Sequence, residues 1–523
     1  MSTSALGGTA AAAADAGTAY PFAAKVDVGA PVEGGRSCSG ALIDARWVIT
    51  AKSCFAPNGQ PVLAGRPAQP TTVTIGRPDL TAGTGHVVPV VKVVPHPDRD
   101  VVLARLAASV TDITPVALSG TAPATGDVLR VAGYGRTATD WVPDRLHTAT
   151  YTVGATTATA IDIAGTDSGQ VGPCKGDAGG PGLREGNGTV TLAAITTGGG
   201  QGGCLAADAA APRGGTQTRV DDLGAWINGQ VDTRVTTLTA QSSKLCLGVA
   251  GSSTEAGAHA IQWSCSGAAD QDWRISERSS GRYEIRNDRS NMCLAIAGGV
   301  KDDKAHILQW NCRDNPDQYW QLTTNADGYT RLRNLFSDKC LAIEGNSMVN
   351  GGHLVQWPCR DANLDQNWKF QNRTVGEYLV NGNSGLCMGN GGSRDAGAHA
   401  VLAECAGSND NEWHLNTRPG GFIEIRNDRS DKCLAIAGGS KDLRAHMLQW
   451  NCNANPDQFW STVESADGTR LRNNLSGLCL AVEAGSKDAG AHLLQWNCNS
   501  NADQLWSISD GKRHALGSNA TGS

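Results

Sequence analysis

Cys246, Cys293, Cys340, Cys387, Cys433 and Cys479 recur at intervals of 47, 47, 47, 46 and 46 residues, and each is followed 18 or 19 residues later by a second cysteine: Cys265, Cys312, Cys359, Cys405, Cys452 and Cys498. Five copies carry a Gln-Trp pair two residues before the second cysteine: Gln262-Trp263, Gln309-Trp310, Gln356-Trp357, Gln449-Trp450 and Gln495-Trp496. A Gln-x-Trp follows, at Gln271/Trp273, Gln318/Trp320, Gln366/Trp368, Gln458/Trp460 and Gln504/Trp506. A unit this small cannot bury its own apolar face, so the Trp of each Gln-x-Trp and the Leu of each Cys-Leu are expected to meet their counterparts around a shared core. Six copies make two threefold sets. Closure of each cysteine pair, at about 2–4 kcal/mol per bridge, offsets the small core.

The remaining four of the 16 cysteines also fall as neighbours, Cys38 with Cys54 and Cys174 with Cys204. Eight neighbouring pairs without a Cys-x-x-Cys imply disulfides formed in an oxidising compartment and no metal site. Secretion is therefore expected, although the first lysine is Lys25 and no basic leader precedes it; Ser2-Thr3-Ser4 suits the end of an upstream signal peptide. A net charge of −6 without runs of one sign lacks the footprint of a nucleic-acid binder, and no stretch reaches the ~18 apolar residues of a membrane span. Glycine is abundant (65), aromatics are scarce, and short Thr/Val runs recur, so the chain reads as all-β.

The first 230 or so residues differ in character, with strand-like runs "ALIDARWVIT", "PVVKVVP", "DVVLARL" and "VLRVAGYG". One helical pattern closes them at 221–231, with Leu223, Trp226, Ile227 and Val231 on one face behind a first turn containing Asp221 and Asp222. Over residues 5–231 the segments "ALGGT", "WVITAKSC", "DVVLARL" and "CKGDAGGP" occur in an order that resembles the trypsin-like (chymotrypsin-fold) serine proteases. The resemblance implies a double β-barrel. It places the family's catalytic histidine at Ser53, its aspartate at Asp100 and its nucleophile at Ala178, with Gly176 and Ala178 as oxyanion amides and Asp177 paired with a free amino group at Ala5. A serine hydroxyl is no general base and an alanine methyl no nucleophile, so an inactive protease homologue is expected. Asp100 is expected to be buried and to accept from Ser53; a Lys52/Ser53 base and nucleophile pair is the alternative. His86, His96 and His147 lie outside the motifs and read as surface or loop residues. With Gly172 at the family's specificity position and Thr197-Gly198-Gly199 in its peptide-pairing segment, any groove should be wide and uncharged.

The repeats, over about 231–510, resemble the ricin B-type β-trefoil lectins, which implies trefoils at 232–372 and 373–510 and a flexible tail at 511–523. In that family a sugar stacks on an aromatic and hydrogen-bonds to a carboxylate two residues after the first cysteine; here those positions are Gly248, Ala295, Ala342, Gly389, Ala435 and Ala481. The residue before each Gln-x-Trp glutamine is acidic instead: Asp270, Asp317, Asp365, Asp457 and Asp503, with Asp410 in the fourth copy. Either the carboxylate has moved across the pocket or each Asp caps its turn. The candidate sugar residues are these five Asp with Trp263, Trp310, Trp357, Trp450 and Trp496 and Gln271, Gln318, Gln366, Gln458 and Gln504. The fourth copy, with Leu402-Ala403 and Asn411, is degraded, and its Trp413 should remain core. Histidines at 259, 306, 353, 399, 446 and 492 share one repeat position and suggest packing or hydrogen bonding rather than zinc. The expected protein binds polysaccharide or glycoprotein glycans and needs no cofactor; the other readings are an active endopeptidase targeted to glycans and a non-cleaving decoy that holds a peptide or inhibitor in the protease-like groove.

Overall fold

The computed structural model describes residues 20–508 except 30–34, 57–58, 167–171, 187, 232–233, 280, 406–408, 419 and 466–467. Ser2-Thr3-Ser4, Ala5 and the 511–523 tail lie outside the described residues. By compactness the chain parts into two units: Met1–Asp232 with Leu415–Glu424 and Phe459–Asn474, and Thr233–His414 with Ile425–Gln458 and Leu475–Ser523.

The first unit begins with a closed barrel of β1 (Ala23–Val28), β2 (Arg36–Asp44), β3 (Trp47–Thr50), β4 (Thr71–Ile75), β5 (His86–Pro95) and β6 (Val102–Leu106), ordered β1-β2-β3-β6-β5-β4. The apolar runs close it. All five residues of β6 are buried, and β5 pairs with it from Val90↔Leu106 to Pro95↔Val102. The second sheet comprises β7 (Ala117–Leu118), β8 (Val128–Gly133), β9 (His147–Thr156), β10 (Ala160–Gly165), β11 (Pro181–Gly186), β12 (Thr189–Gly199) and β13 (Gly215–Arg219). Because β11 pairs with both β8 and β12, this sheet also closes on itself, around Leu129, Tyr151, Val153, Ile161, Ile163 and Ala193. The helix α1 spans Gly224–Val231, three residues later than its sequence pattern, and buries Ile227 and Val231, with Leu223 buried just before it. Asp221 and Asp222 precede it and pair with Arg219 and Arg99 rather than with the helix dipole.

The first three repeats build a twelve-stranded sheet in which the opening strand, Arg234–Ala240, pairs antiparallel with the closing strand, Trp368–Thr374. That closing strand runs two residues past the 372/373 boundary inferred from the repeats. Trp273, Trp320 and Trp368 meet Leu247, Leu294 and Leu341 in one buried cluster. The indole N–H groups of Trp273 and Trp320 donate to the Leu247 and Leu294 carbonyls, each at 3.1 Å, so the apolar anchors bury no unpaired donor there. The last three repeats form a second twelve-stranded sheet closed by Leu379–Asn381 against Trp506–Ile508, with Trp413, Trp460 and Trp506 buried.

The cysteines pair as their spacing suggests, in eight bridges. Two lie in the first unit, Cys38–Cys54 and Cys174–Cys204. Each repeat holds one of the other six: Cys246–Cys265, Cys293–Cys312, Cys340–Cys359, Cys387–Cys405, Cys433–Cys452 and Cys479–Cys498. The first cysteine of each repeat, Cys246, Cys387 and Cys479 among them, is buried on a core strand. Its partner lies nearer the surface: Cys265 and Cys498 are exposed and Cys405 is half-buried. Each bridge thus pins the loop after the Gln-Trp pair to the core, and none of these sulfurs is left as a thiol for a metal or a nucleophilic role.

Glutamines of the Gln-Trp pairs add links between repeats. Gln309 Nε2 donates to the Ser253 and Glu255 carbonyls at 3.0 and 2.8 Å, Gln356 repeats this on Val300 and Asp302, and Gln262 closes the circle on Ser347 and Val349. In the second set Gln449 and Gln495 do the same, and Leu402 stands where the third link would be.

Candidate functional site

Ser53 sits in the short turn Lys52–Phe55, fixed behind β3 by the Cys38–Cys54 bridge. Its amide donates to Asp100 Oδ1 at 2.7 Å and its hydroxyl to Oδ2 at 2.9 Å, so the serine uses both donors on one carboxylate. Asp100, just before β6, is half-exposed rather than buried, because the residue opposite is a small, exposed serine that leaves its carboxylate open to water. The Lys52 ammonium donates to the His96 carbonyl at 3.0 Å. It is committed away from the serine.

Ala178 follows a tight turn that only glycine permits at two points. Gly176 has φ +102°, and a Cβ there would lie 2.6 Å from the Gly135 Cα; Gly179 has φ +83°, and its Cβ would lie 2.2 Å from the Ser39 carbonyl oxygen. The Ala178 carbonyl accepts from the Ser39 amide at 2.8 Å, which holds the segment against β2. Among the described residues the Gly176 and Ala178 amides have no protein acceptor, so both stay open to a carbonyl oxygen. Buried Asp177 accepts from the Gly135 and Cys174 amides, each at 2.9 Å, and lies 3.2 Å from His147 Nε2. These groups border a cavity of about 270 Å³ lined by Val131, Tyr151 and Pro173 among others.

His147 thus belongs to β9 and faces Asp177, and His86 is buried in β5 with its Nε2 2.8 Å from Asp112. His86, buried on β5, is therefore not the surface or loop residue expected, whereas His147, at the head of β9, is half-exposed. His96 packs edge-on against Trp226 at 4.8 Å, and partial burial, then the nearby Arg99 charge, lowers its pKa.

Around Gly172, Gly199 and Gly215 the walls approach one another where a wide slot was expected. Gly172 donates from its amide to the Gly202 carbonyl at 2.8 Å, and a Cβ on Gly199 would fall 2.0 Å from the Pro173 carbonyl oxygen. The Pro173 ring also fills the space over Gly215, where a Cβ would meet its Cγ at 2.9 Å. Glycine at 199 and 215 therefore narrows the slot, because the facing wall comes into contact.

In the repeats the five Asp sit in the middle of the short turns Ala269–Gln271, Pro316–Gln318, Leu364–Gln366, Pro456–Gln458 and Ala502–Gln504, not at their caps. Asp270 Oδ2 lies 3.2 Å from the point where a Cβ on Gly248 would stand, and its Oδ1 accepts from the Ser252 hydroxyl at 2.9 Å. A carboxylate therefore fills the space beside Gly248 although none is attached there. With half-exposed Trp263 it lines a cavity of about 300 Å³; Asp503 and Trp496 line an equivalent one of about 440 Å³. Burial raises the pKa of Asp317, Asp365, Asp457 and Asp503, opposed by their own amides and those of Ile296, Ile343, Ile436 and Val482. In the degraded fourth repeat Asp410 is neutralised by Arg429 at 2.6 Å.

Trp310 and Trp450 are more than two-fifths exposed, like Trp263, and Trp357 is half-buried. The Gln-x-Trp glutamines are different. Gln271, Gln318, Gln366, Gln458 and Gln504 are buried, and each donates from Nε2 to a backbone carbonyl just after its Gln-Trp pair while Oε1 accepts an amide beyond the second cysteine. Their polar ends brace the pocket loop from inside. The six histidines gather as two trios, His259/His306/His353 and His399/His446/His492, whose ring nitrogens lie within 4.8 Å of one another.

Residues 7–227 match the trypsin family. Residues 224–310 and 269–357 match the ricin-type β-trefoil lectin-like family, and 328–460 and 421–521 the ricin-type β-trefoil lectin domain. The chain is 28% identical over 214 residues to snake venom serine protease HS114 of Bothrops jararaca, covering 37% of this chain and 77% of that protein. Two solved structures are also similar: the designed threefold-symmetric protein ThreeFoil (29% identity, 27% of this chain and 98% of that one, TM-score 0.26) and neuropsin, a serine protease of mouse brain (23% identity, 40% and 95%, TM-score 0.32). The chain joins a trypsin-family domain at residues 7–227 to two ricin-type β-trefoil lectin domains, the architecture of a carbohydrate-binding, serine protease-like protein.

Proposed function

We propose that the protein is an exported glycan binder whose trypsin-family domain leaves peptide bonds intact. The observation that carries this reading is the Ser53 hydroxyl donating to Asp100. In trypsin-like chemistry the group beside that carboxylate takes the nucleophile's proton, and a serine hydroxyl does not titrate near neutrality. Ala178 adds no attacking oxygen. Loss of such groups lowers turnover by about 10⁶, leaving about 10³–10⁴ over water from oxyanion donors and binding. The contact between Pro173 and Gly199 also disfavours the decoy reading, because a captured peptide has no slot for its side chain. The Lys52 ammonium on the His96 carbonyl disfavours the hydrolase reading in the same way.

Glycan binding rests on the relocated carboxylates. In the Asp270 and Asp503 pockets a carboxylate for vicinal hydroxyls and an indole for a sugar face line one cavity. Several weak pockets on one chain favour a polymeric glycan over a free monosaccharide. Eight disulfides support export, and the name of the Bothrops relative places that protein in venom.

A glycan array with the full chain, beside Asp270→Asn/Asp503→Asn, tests the pockets. Hydrogen bonds to a charged acceptor contribute about 1.5–3 kcal/mol, so the double variant is expected to bind about tenfold or more weakly. Equal binding by the variant overturns the relocated carboxylate.

A further inference from the structure

His259, His306 and His353 take no part in the sugar pockets, yet the fold of the first trefoil brings one from each repeat to a single point. His259 Nδ1 lies 2.9 Å from His306 Nδ1 and 3.2 Å from His353 Nδ1, with ring centroids 4.8, 4.9 and 5.0 Å apart. Their backbone is fixed: the three carbonyls accept from the Ala250, Ala297 and Glu344 amides, each at 2.9 Å. All three side chains are half-exposed.

Tautomers alone cannot satisfy this contact. A neutral imidazole nitrogen carries either a hydrogen or one lone pair, so His259 Nδ1 at best divides a single hydrogen between its two Nδ1 neighbours, which weakens both contacts. A shared cation resolves all three at once. Imidazole nitrogens about 2.0–2.1 Å from one ion stand roughly 2.8–3.4 Å apart on an octahedral or tetrahedral face, and the two contacts of His259, at 2.9 and 3.2 Å, fall in that range.

We propose that His259, His306 and His353 bind one divalent cation of the zinc, nickel and copper class on the threefold axis of the first trefoil, with solvent completing its coordination. An all-imidazole donor set selects these borderline ions over calcium or magnesium. The ion ties three repeats together with one ligand from each. The second trio is built differently: His399 and His492 stack in parallel at 4.6 Å, and Glu483 stands 3.8 Å from His446 and 3.9 Å from His492. Stacked rings direct their lone pairs along separate lines, so the tight site belongs to the first trio.

The test is calorimetric titration of the chelator-stripped full chain with zinc chloride, beside His306→Gln and His446→Gln. Wild type and His446→Gln are expected to bind one equivalent tightly and to melt at a higher temperature with zinc, while His306→Gln binds at least about tenfold more weakly. If His306→Gln does not fold, His353→Gln replaces it, and cobalt(II) added to wild type reports nitrogen ligation in its visible spectrum without any variant. Absence of saturable zinc binding, loss of the tight site in His446→Gln alone, or a cobalt spectrum equal to that of the aqueous ion overturns the proposal.

Discussion

Asp270 places a carboxylate beside Gly248, where the chain itself attaches none. Its carboxylate reaches the space beside Gly248 from the turn opposite, where an acid attached at 248 would collide with it. Four equivalents, Asp317, Asp365, Asp457 and Asp503, carry pKa values raised first by burial, and this sets how binding responds to acid. A protonated carboxyl offers one fewer acceptor to sugar hydroxyls, so binding falls as pH drops through the raised folded values, which lie above the ordinary carboxylate range of about 4. The stability effect has the opposite sign: a folded pKa above the unfolded one stabilises the fold at low pH, and that contribution is lost as pH rises through the folded value. Glycan affinity measured from pH 7 to 4 is expected to decline while the trefoils melt no earlier from these groups; affinity constant over that range contradicts the assignment. Sequence exposed the recurring Asp before each Gln-x-Trp glutamine because the repeat supplies an internal alignment. It did not reveal that Gln271 and its equivalents are turned inward, since recurrence marks a residue as needed without naming its partner.

The Gln-Trp glutamines hold neighbouring repeats at the scale of whole strands. Each presents two amide hydrogens to two carbonyls of the adjacent repeat, a fit that leucine at 402 cannot make. In Gln309→Leu the half-buried Ser253 and the exposed Glu255 lose the donor to their carbonyls and Ser290 loses its acceptor, at about 0.5–1.5 kcal/mol for each hydrogen bond. Thermal unfolding is expected at a lower temperature than wild type, with a larger fall than for a substitution at exposed Leu443; an unchanged midpoint contradicts the role given to Gln309. The helix α1 was legible from its apolar face, but its start was not. Asp221 and Asp222 resemble a first turn in sequence, while in space Arg219 and the distant Arg99 draw them away.

Across the whole molecule, architecture was the most legible level, because spacing of cysteines and order of motifs survive changes at individual sites. The approach of the groove walls was not legible. Gly172 and Gly199 imply room when counted as missing side chains, yet the walls pack together there once nothing separates them. Likewise, His86 looked like a surface or loop residue, yet β5 buries it with Asp112 within hydrogen-bond distance. Under the proposed function, fold and activity part company in the trypsin-family domain, where the barrels, bridges and oxyanion amides persist around Ser53 and Ala178. The decisive measurement is incubation of the pure full chain with a broad peptide library, followed by mass spectrometry of both peptides and protein after treatment with a serine-directed fluorophosphonate. Intact peptides and an unlabelled protein are expected; cleavage that disappears in Asp100→Asn, or a covalent adduct on the trypsin-family domain, would contradict it.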